Sequence, residues 1–226
     1  MTRMVFVNRW GAATAIGAFV LAGLVFSSGH VRAEDDDHDH DGDARVRQGF
    51  RIAPVPLNLV RKNRALVGLG SYIVNGVGDC NGCHSAGPQT EFTPTGNPYL
   101  LTPAFDGHEK INPATYLGGG NDFGPFPAPT SSVHIVSRNL TPDKTGLPLG
   151  GDTFLEFRNI IRTGVDPDHL HPTLAPPFNG ALLQIMPWPV YRNMTDRDLR
   201  AIYEYLSAIP CIAGPPAPST LHHDCF

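Results

Sequence analysis

The sequence predicts an all-α domain, and three stretches predict it. Residues 63–76, 152–164 and 195–210 each place apolar side chains at helical spacing between capping residues and helix breakers. At 226 residues and 41% apolar content, the chain is long enough to bury one good core, and one main domain is expected.

The chain opens differently. Arg3 and Arg9 precede an uncharged apolar stretch from Gly11 to Phe26, and Val31-Arg32-Ala33 has small residues where a signal peptidase reads. That stretch is shorter than the roughly 20 residues of a membrane span, so 1–33 reads as a cleaved export signal rather than an anchor. The next segment, EDDDHDHDGD, has no apolar residue to offset the entropy of ordering, and 34–62 is expected to be an acidic, disordered leader. His38 and His40 within it are a weak candidate for a divalent metal, because a flexible segment fixes no ligand geometry.

Charge follows the same division. Three of the 17 basic residues and none of the 21 acidic ones lie in 1–33, and seven acids lie in 34–43. The remainder is formally neutral, 14 against 14, and nothing in it points to nucleic acid binding, which needs a basic patch.

In the first helix Leu66, Leu69, Tyr72 and Ile73 share a face, and the helix leads into Cys80-Asn81-Gly82-Cys83-His84. Residues 87–129 are rich in Gly and Pro without periodicity, so about 88–132 reads as a long surface loop inserted into the domain. In the second helix Asp152 or Thr153 caps, Phe154, Phe157 and Ile161 form the apolar face, and Gly164 stops it. The last helix starts at a Thr195/Asp198 capping box, runs through Leu199, Ile202, Tyr203 and Leu206, and is closed by Pro210. Met194 stands where it can staple that helix. The domain thus spans 63–210, with 211–226 as a tail.

The CxxCH motif carries the chemistry. Two residues between thiols let both sulfurs reach the vinyl groups along one haem edge, and the next residue places an imidazole under the iron. A thioredoxin-like pair or half a zinc site also uses CxxC, but a helix rather than a strand precedes the motif, and Cys211 and Cys225 are too widely spaced to complete a zinc site. One covalent haem c on Cys80 and Cys83, with His84 as an axial ligand, is the expectation. Met186, in the extended MPWPVYRNM segment, is the expected second ligand; Met194, His134, His169 and His171 are the alternatives, with a cysteine ligand behind them. Trp188 and Tyr191 flank Met186 and serve either as haem contacts or as core. Cys211 and Cys225, in a compartment that permits disulfides, are expected to be bonded, contributing about 3 kcal/mol on the chain-entropy model.

Four stretches in order, GLGSYIVNGVGDCNGCHSAG, SRNLTPDKTG, FRNIIRTGVDP and MPWPVYRNMTDRDLRAIYEYLSAIP, resemble class I cytochromes c, particularly the monohaem domains in cytochrome subunits of periplasmic alcohol-type dehydrogenases. The resemblance covers roughly 64–88 and 133–210; the intervening loop departs from it. It implies a class I cytochrome c-like helical fold around one covalent haem, in which the first and last helices cross with Gly70 against Tyr205. It also implies a periplasmic one-electron carrier, not an enzyme, whose partner is a dehydrogenase, an oxidase or another cytochrome. A haem enzyme with an open sixth position and a structural haem subunit of a larger redox complex are the competing readings.

Overall fold

The computed structural model describes residues 36–85, 88–167, 174–215, 219 and 221–225. The expected export signal, His169 and His171 lie outside the described residues.

Three helices make the scaffold. Helix α1 spans Asp36–Ile52, α2 Arg64–Tyr72 and α7 Asp196–Leu206. Asn63 caps α2, its side-chain oxygen accepting the Leu66 N–H at 3.1 Å, and a π-helical turn, Ile73–Val77, carries the chain on towards the cysteines. The expected Gly70 crossing is present: a β-carbon on Gly70 would overlap the Ala201 carbonyl and press on Tyr205, which is fully buried. Without that β-carbon the two backbones come close enough for Val67, Leu69, Leu199 and Ile202 to share one core.

The segment expected to be a disordered leader differs. Most of it is α1, whose Gly49 meets Gly68 of α2 with equally little room. Val46 and Phe50 pack on the core, and the Ser71 hydroxyl donates to the Gly49 carbonyl at 2.7 Å. The physical reason lies beyond the acidic run: from Arg45 the sequence regains apolar residues at helical spacing, and these give the helix a face to bury.

The other expected helices form as read. Helix α5, Phe154–Thr163, begins at a Thr153/Glu156 capping box and ends at Gly164, whose φ of 75° suits glycine. The Thr195/Asp198 box starts α7, which ends at Leu206, short of Pro210, with Ser207 as its cap.

The all-α expectation needs one correction. Strands β1, Asp122–Pro125, and β2, His134–Val136, pair antiparallel with an irregular register; Ile135 and Val136 are β-branched and half-buried, which suits a short strand. The long insertion, which also holds the short helix α4 (Pro88–Glu91), is not confined to the surface. Tyr116 and Leu117 are fully buried, and the Tyr116 hydroxyl bonds Asn75 Oδ1 at 2.5 Å and the Tyr205 hydroxyl at 2.7 Å. Cys211 and Cys225 form a disulfide.

Candidate haem site

Asp79, in the left-handed region at φ 44°, turns the chain from the π turn into helix α3, Cys80–His84. Asn81 is buried and anchors this short helix by accepting the Leu117 N–H at 2.9 Å. Cys80 is half-buried and Cys83 exposed, and both are free thiols. Burial, reinforced by the Asp79 carboxylate, pushes the Cys80 thiol up to about 12; the same two causes raise Cys83. Both sulfurs are therefore protonated at neutral pH.

His84 is held at two points. Its ring Nδ1–H donates to the Arg138 carbonyl at 2.8 Å, and its backbone carbonyl accepts the Gly119 N–H at 2.6 Å. Committing Nδ1 to a carbonyl leaves Nε2 with its lone pair free for a metal. Burial lowers the pKa of His84 and so favours the neutral imidazole; the hydrogen bond to the Arg138 carbonyl opposes the shift and the positive charge of Arg138 adds to it. The Arg138 guanidinium in turn reaches Asp166, the Leu149 carbonyl at 2.6 Å and Asp152 at 3.4 Å, all inside the protein.

These groups open onto one cavity. Cys80, Cys83 and His84 form part of its wall, and Met186, Tyr191 and Met194 another part. Ile73, Leu140, Phe157, Ile161 and Leu206 supply apolar wall, and the charged members are Asp79, Arg138 and Asp166. The donor set fits a haem: two cysteines two residues apart, an imidazole of fixed tautomer and two methionines line one predominantly apolar cavity.

The Met186 loop is fastened from outside. Leu183 N–H donates to the Gly164 carbonyl at 2.8 Å, and the Trp188 indole N–H to the Leu183 carbonyl at 3.1 Å. Trp188 opens the short helix α6, Trp188–Tyr191, and its ring covers Gly164, where a β-carbon would collide with it; it is not part of the cavity wall. The wall does include Tyr191, whose hydroxyl donates to the Gly78 carbonyl at 3.1 Å and ties α6 to the turn before Cys80. Met194 shares the cavity with Met186. His134 instead pairs with Asp122 at 2.8 Å on an exposed edge. The disulfide takes Cys211 and Cys225 away from any role as ligands.

Two groups that build this site went unread in the sequence, Arg138 and Gly119. Each meets His84 through a backbone atom, which leaves no side-chain signature. The glycine run 118–120 was the one available signal of a close approach: a β-carbon on Gly119 would overlap Arg138 and Asn139.

No family model matches the chain, and no solved structure matches it significantly. It is 28% identical over 152 residues to an alcohol dehydrogenase (quinone) cytochrome c subunit of Komagataeibacter europaeus, covering 67% of this chain and 24% of that protein. It is 30% identical over 146 residues to a gluconate 2-dehydrogenase cytochrome c subunit of Pantoea cypripedii, covering 63% and 23%. Against a fructose dehydrogenase cytochrome subunit of Gluconobacter japonicus it is 23% identical over 170 residues, covering 75% and 26%. The chain thus spans about a quarter of the length of these relatives. It is, by sequence, similar to cytochrome subunits of alcohol (quinone), gluconate 2- and fructose dehydrogenases.

Proposed function

We propose that the protein is an exported monohaem c-type cytochrome that carries single electrons, its haem joined to Cys80 and Cys83 and its iron held between His84 and Met186. The observation that carries this reading is the convergence of both free thiols, the fixed imidazole and the Met186 loop on one apolar cavity. Bound there, a haem supplies a one-electron Fe(III)/Fe(II) couple.

The chain's own residues set the conditions for that couple. Arg138 orients the His84 ring through its carbonyl, so that Nε2 reaches the site already deprotonated. Apolar walls exclude water and favour the less charged, reduced state, and a methionine thioether favours it further. If His84 and Met186 both held the iron, no position would remain there for a substrate, and that would separate a carrier from a haem enzyme. The 1–33 stretch supports export to the periplasm. Among the described residues no helix is long and apolar enough to cross a membrane. The names of the relatives support a dehydrogenase as electron donor.

Visible spectra of protein produced with haem-attachment machinery, oxidised and reduced, test the assignment. Covalent low-spin haem is expected, with the weak charge-transfer band of methionine-ligated ferric haem present, lost in Met186→Ala and retained in Met194→Ala. Loss in Met194→Ala instead would move the ligand, and a high-spin spectrum in the parent protein would overturn the carrier reading.

A further inference from the structure

His84 is gripped by two separate segments, and both rest on the same piece of chain. Residues 117–120 hold its backbone carbonyl through Gly119, and residues 138–141 hold its ring through Arg138. The two segments touch where Gly119 has no β-carbon, and the Leu140 N–H donates to the Leu117 carbonyl at 2.8 Å.

Behind them lies the tail between Cys211 and Cys225. Asn139 is fully buried and uses its whole side chain here. Its Oδ1 accepts from Thr141 N–H at 3.0 Å and from the Thr141 hydroxyl at 2.8 Å; its Nδ2 donates to the Ile212 carbonyl at 2.8 Å and to the Leu221 carbonyl at 3.3 Å. The Ile212 N–H returns a bond to the Thr141 hydroxyl at 3.1 Å. On the other segment, the Ile212 side chain packs closely against Gly118, where a β-carbon would come within 3.1 Å of it, and Leu221 lies over Gly120. The far end of the tail is pinned as well, with Lys144 bonding Asp224 through both its backbone N–H and, at 2.9 Å, its ammonium group.

We propose that the disulfide-closed tail is a brace for the His84 imidazole, and that Asn139 is the positioning residue through which the brace holds the Arg138 carbonyl in place. Asn139 is not itself one of the residues lining the cavity. It acts through its neighbour, because a fully bonded amide fixes the peptide that carries the acceptor. The disulfide limits how far Ile212 and Leu221 can separate, and these two carbonyls are the acceptors for Asn139 Nδ2. The proposal rests on His84 being the iron ligand inferred above. A slack brace weakens the Nδ1–H bond, makes the imidazole a poorer donor, and so disfavours the ferric state.

The test is hydrogen exchange by NMR on the full, haem-loaded reduced chain, read at two protons: the His84 Nδ1–H and the Gly119 backbone N–H. Asn139→Ala and the pair Cys211→Ser with Cys225→Ser should each speed exchange at both protons by about tenfold or more. Both should raise the reduction potential. Asn63→Ala, which removes the α2 cap and touches none of these groups, should change neither, separating positioning from general loss of stability. If the cysteine pair fails to fold, a dithiol reductant applied to the folded parent protein opens the same bond and should give the same acceleration. Unchanged exchange at both protons in tail-opened protein that still holds low-spin haem would overturn the brace and leave the carrier reading standing. A parent chain that takes up no haem would instead overturn the carrier reading, and the Gly119 proton would still decide whether the tail holds the loop.

Discussion

The α2–α7 crossing and the paired segments that hold His84 are both buried, and both are organised around glycines, yet they are built from opposite chemistry. At the crossing, Gly70 lets two periodic apolar faces meet, and the order comes from close packing of Val67, Leu199 and Leu206. At the His84 grip, Gly119 lets two irregular segments meet, and the order comes from hydrogen bonds made by Asn81, Arg138 and Asn139. One region is specified by a repeating pattern and one by single residues far apart in the chain. The first supplies stability and the second supplies orientation.

The sharpest way to break the comparison is to fill the glycine of the packed region. Gly70→Leu places a side chain where the Ala201 carbonyl and Tyr205 already are, and since neither backbone can give way without separating the helices, the loss should be about 3 kcal/mol or more. Urea unfolding of the variant should show a midpoint collapse or no cooperative transition. A midpoint equal to the parent's would mean that the crossing does not organise the core.

A smaller effect tests whether the insertion belongs to the fold. Tyr116→Phe deletes a hydroxyl shared between Asn75 and Tyr205 and leaves the half-buried amide and the buried phenol each short of a bond, for an expected loss of about 1–2 kcal/mol by the same unfolding measurement. A tyrosine on a surface loop would lose nothing. The network also includes Ser71, which bonds both Asn75 and the Gly49 carbonyl, so the loss should carry into α1.

The same contrast explains what could be read from the sequence. Helices α5 and α7 were legible because their apolar spacing is regular; the Thr195/Asp198 box of α7 was legible as a local pair, whereas the α5 cap stood open between Asp152 and Thr153 until the structure placed it at Thr153. The CxxCH spacing could be proposed as a haem-attachment site from sequence alone because its geometry is contained within five residues. The Gly70 crossing came from the family resemblance rather than from any local pattern. Arg138 was illegible as a partner of His84, since 54 residues separate them and the contact uses a carbonyl that every residue possesses. Tyr116 was hidden because its partners, Asn75 and Tyr205, lie 41 and 89 residues away. Helix α1 was misjudged because the acidic run at its start dominated the composition, whereas the apolar residues after Arg45 determine its packing. Met186 and Met194 reach the same cavity, so proximity does not choose between them and the spectrum of each variant must.

The smallest expected effect is one of pH, and it lies in the tail. His223 is buried against Gly150, with no hydrogen bond to its Nδ1 among the described residues. Burial lowers its pKa below the usual 6.5; the charge of Arg138 lowers it further, while Asp143 and the backbone carbonyls of Pro142 and Thr141 oppose the shift. The folded protein therefore resists a proton that the unfolded chain accepts. Stability is fully present above 6.5 and declines as pH falls below it, by at most about 1.4 kcal/mol per pH unit, until the folded form also takes up the proton. His84 shifts in the same direction, so the parent's slope alone cannot assign the proton. The difference between parent and His223→Gln can: unfolding free energies measured from pH 7 to pH 5 should show a shallower decline in the variant, by up to one proton. Parallel curves would mean that His223 is already hydrated in the native state, and that the tail lies less firmly on the 138–150 segment than its hydrogen bonds imply.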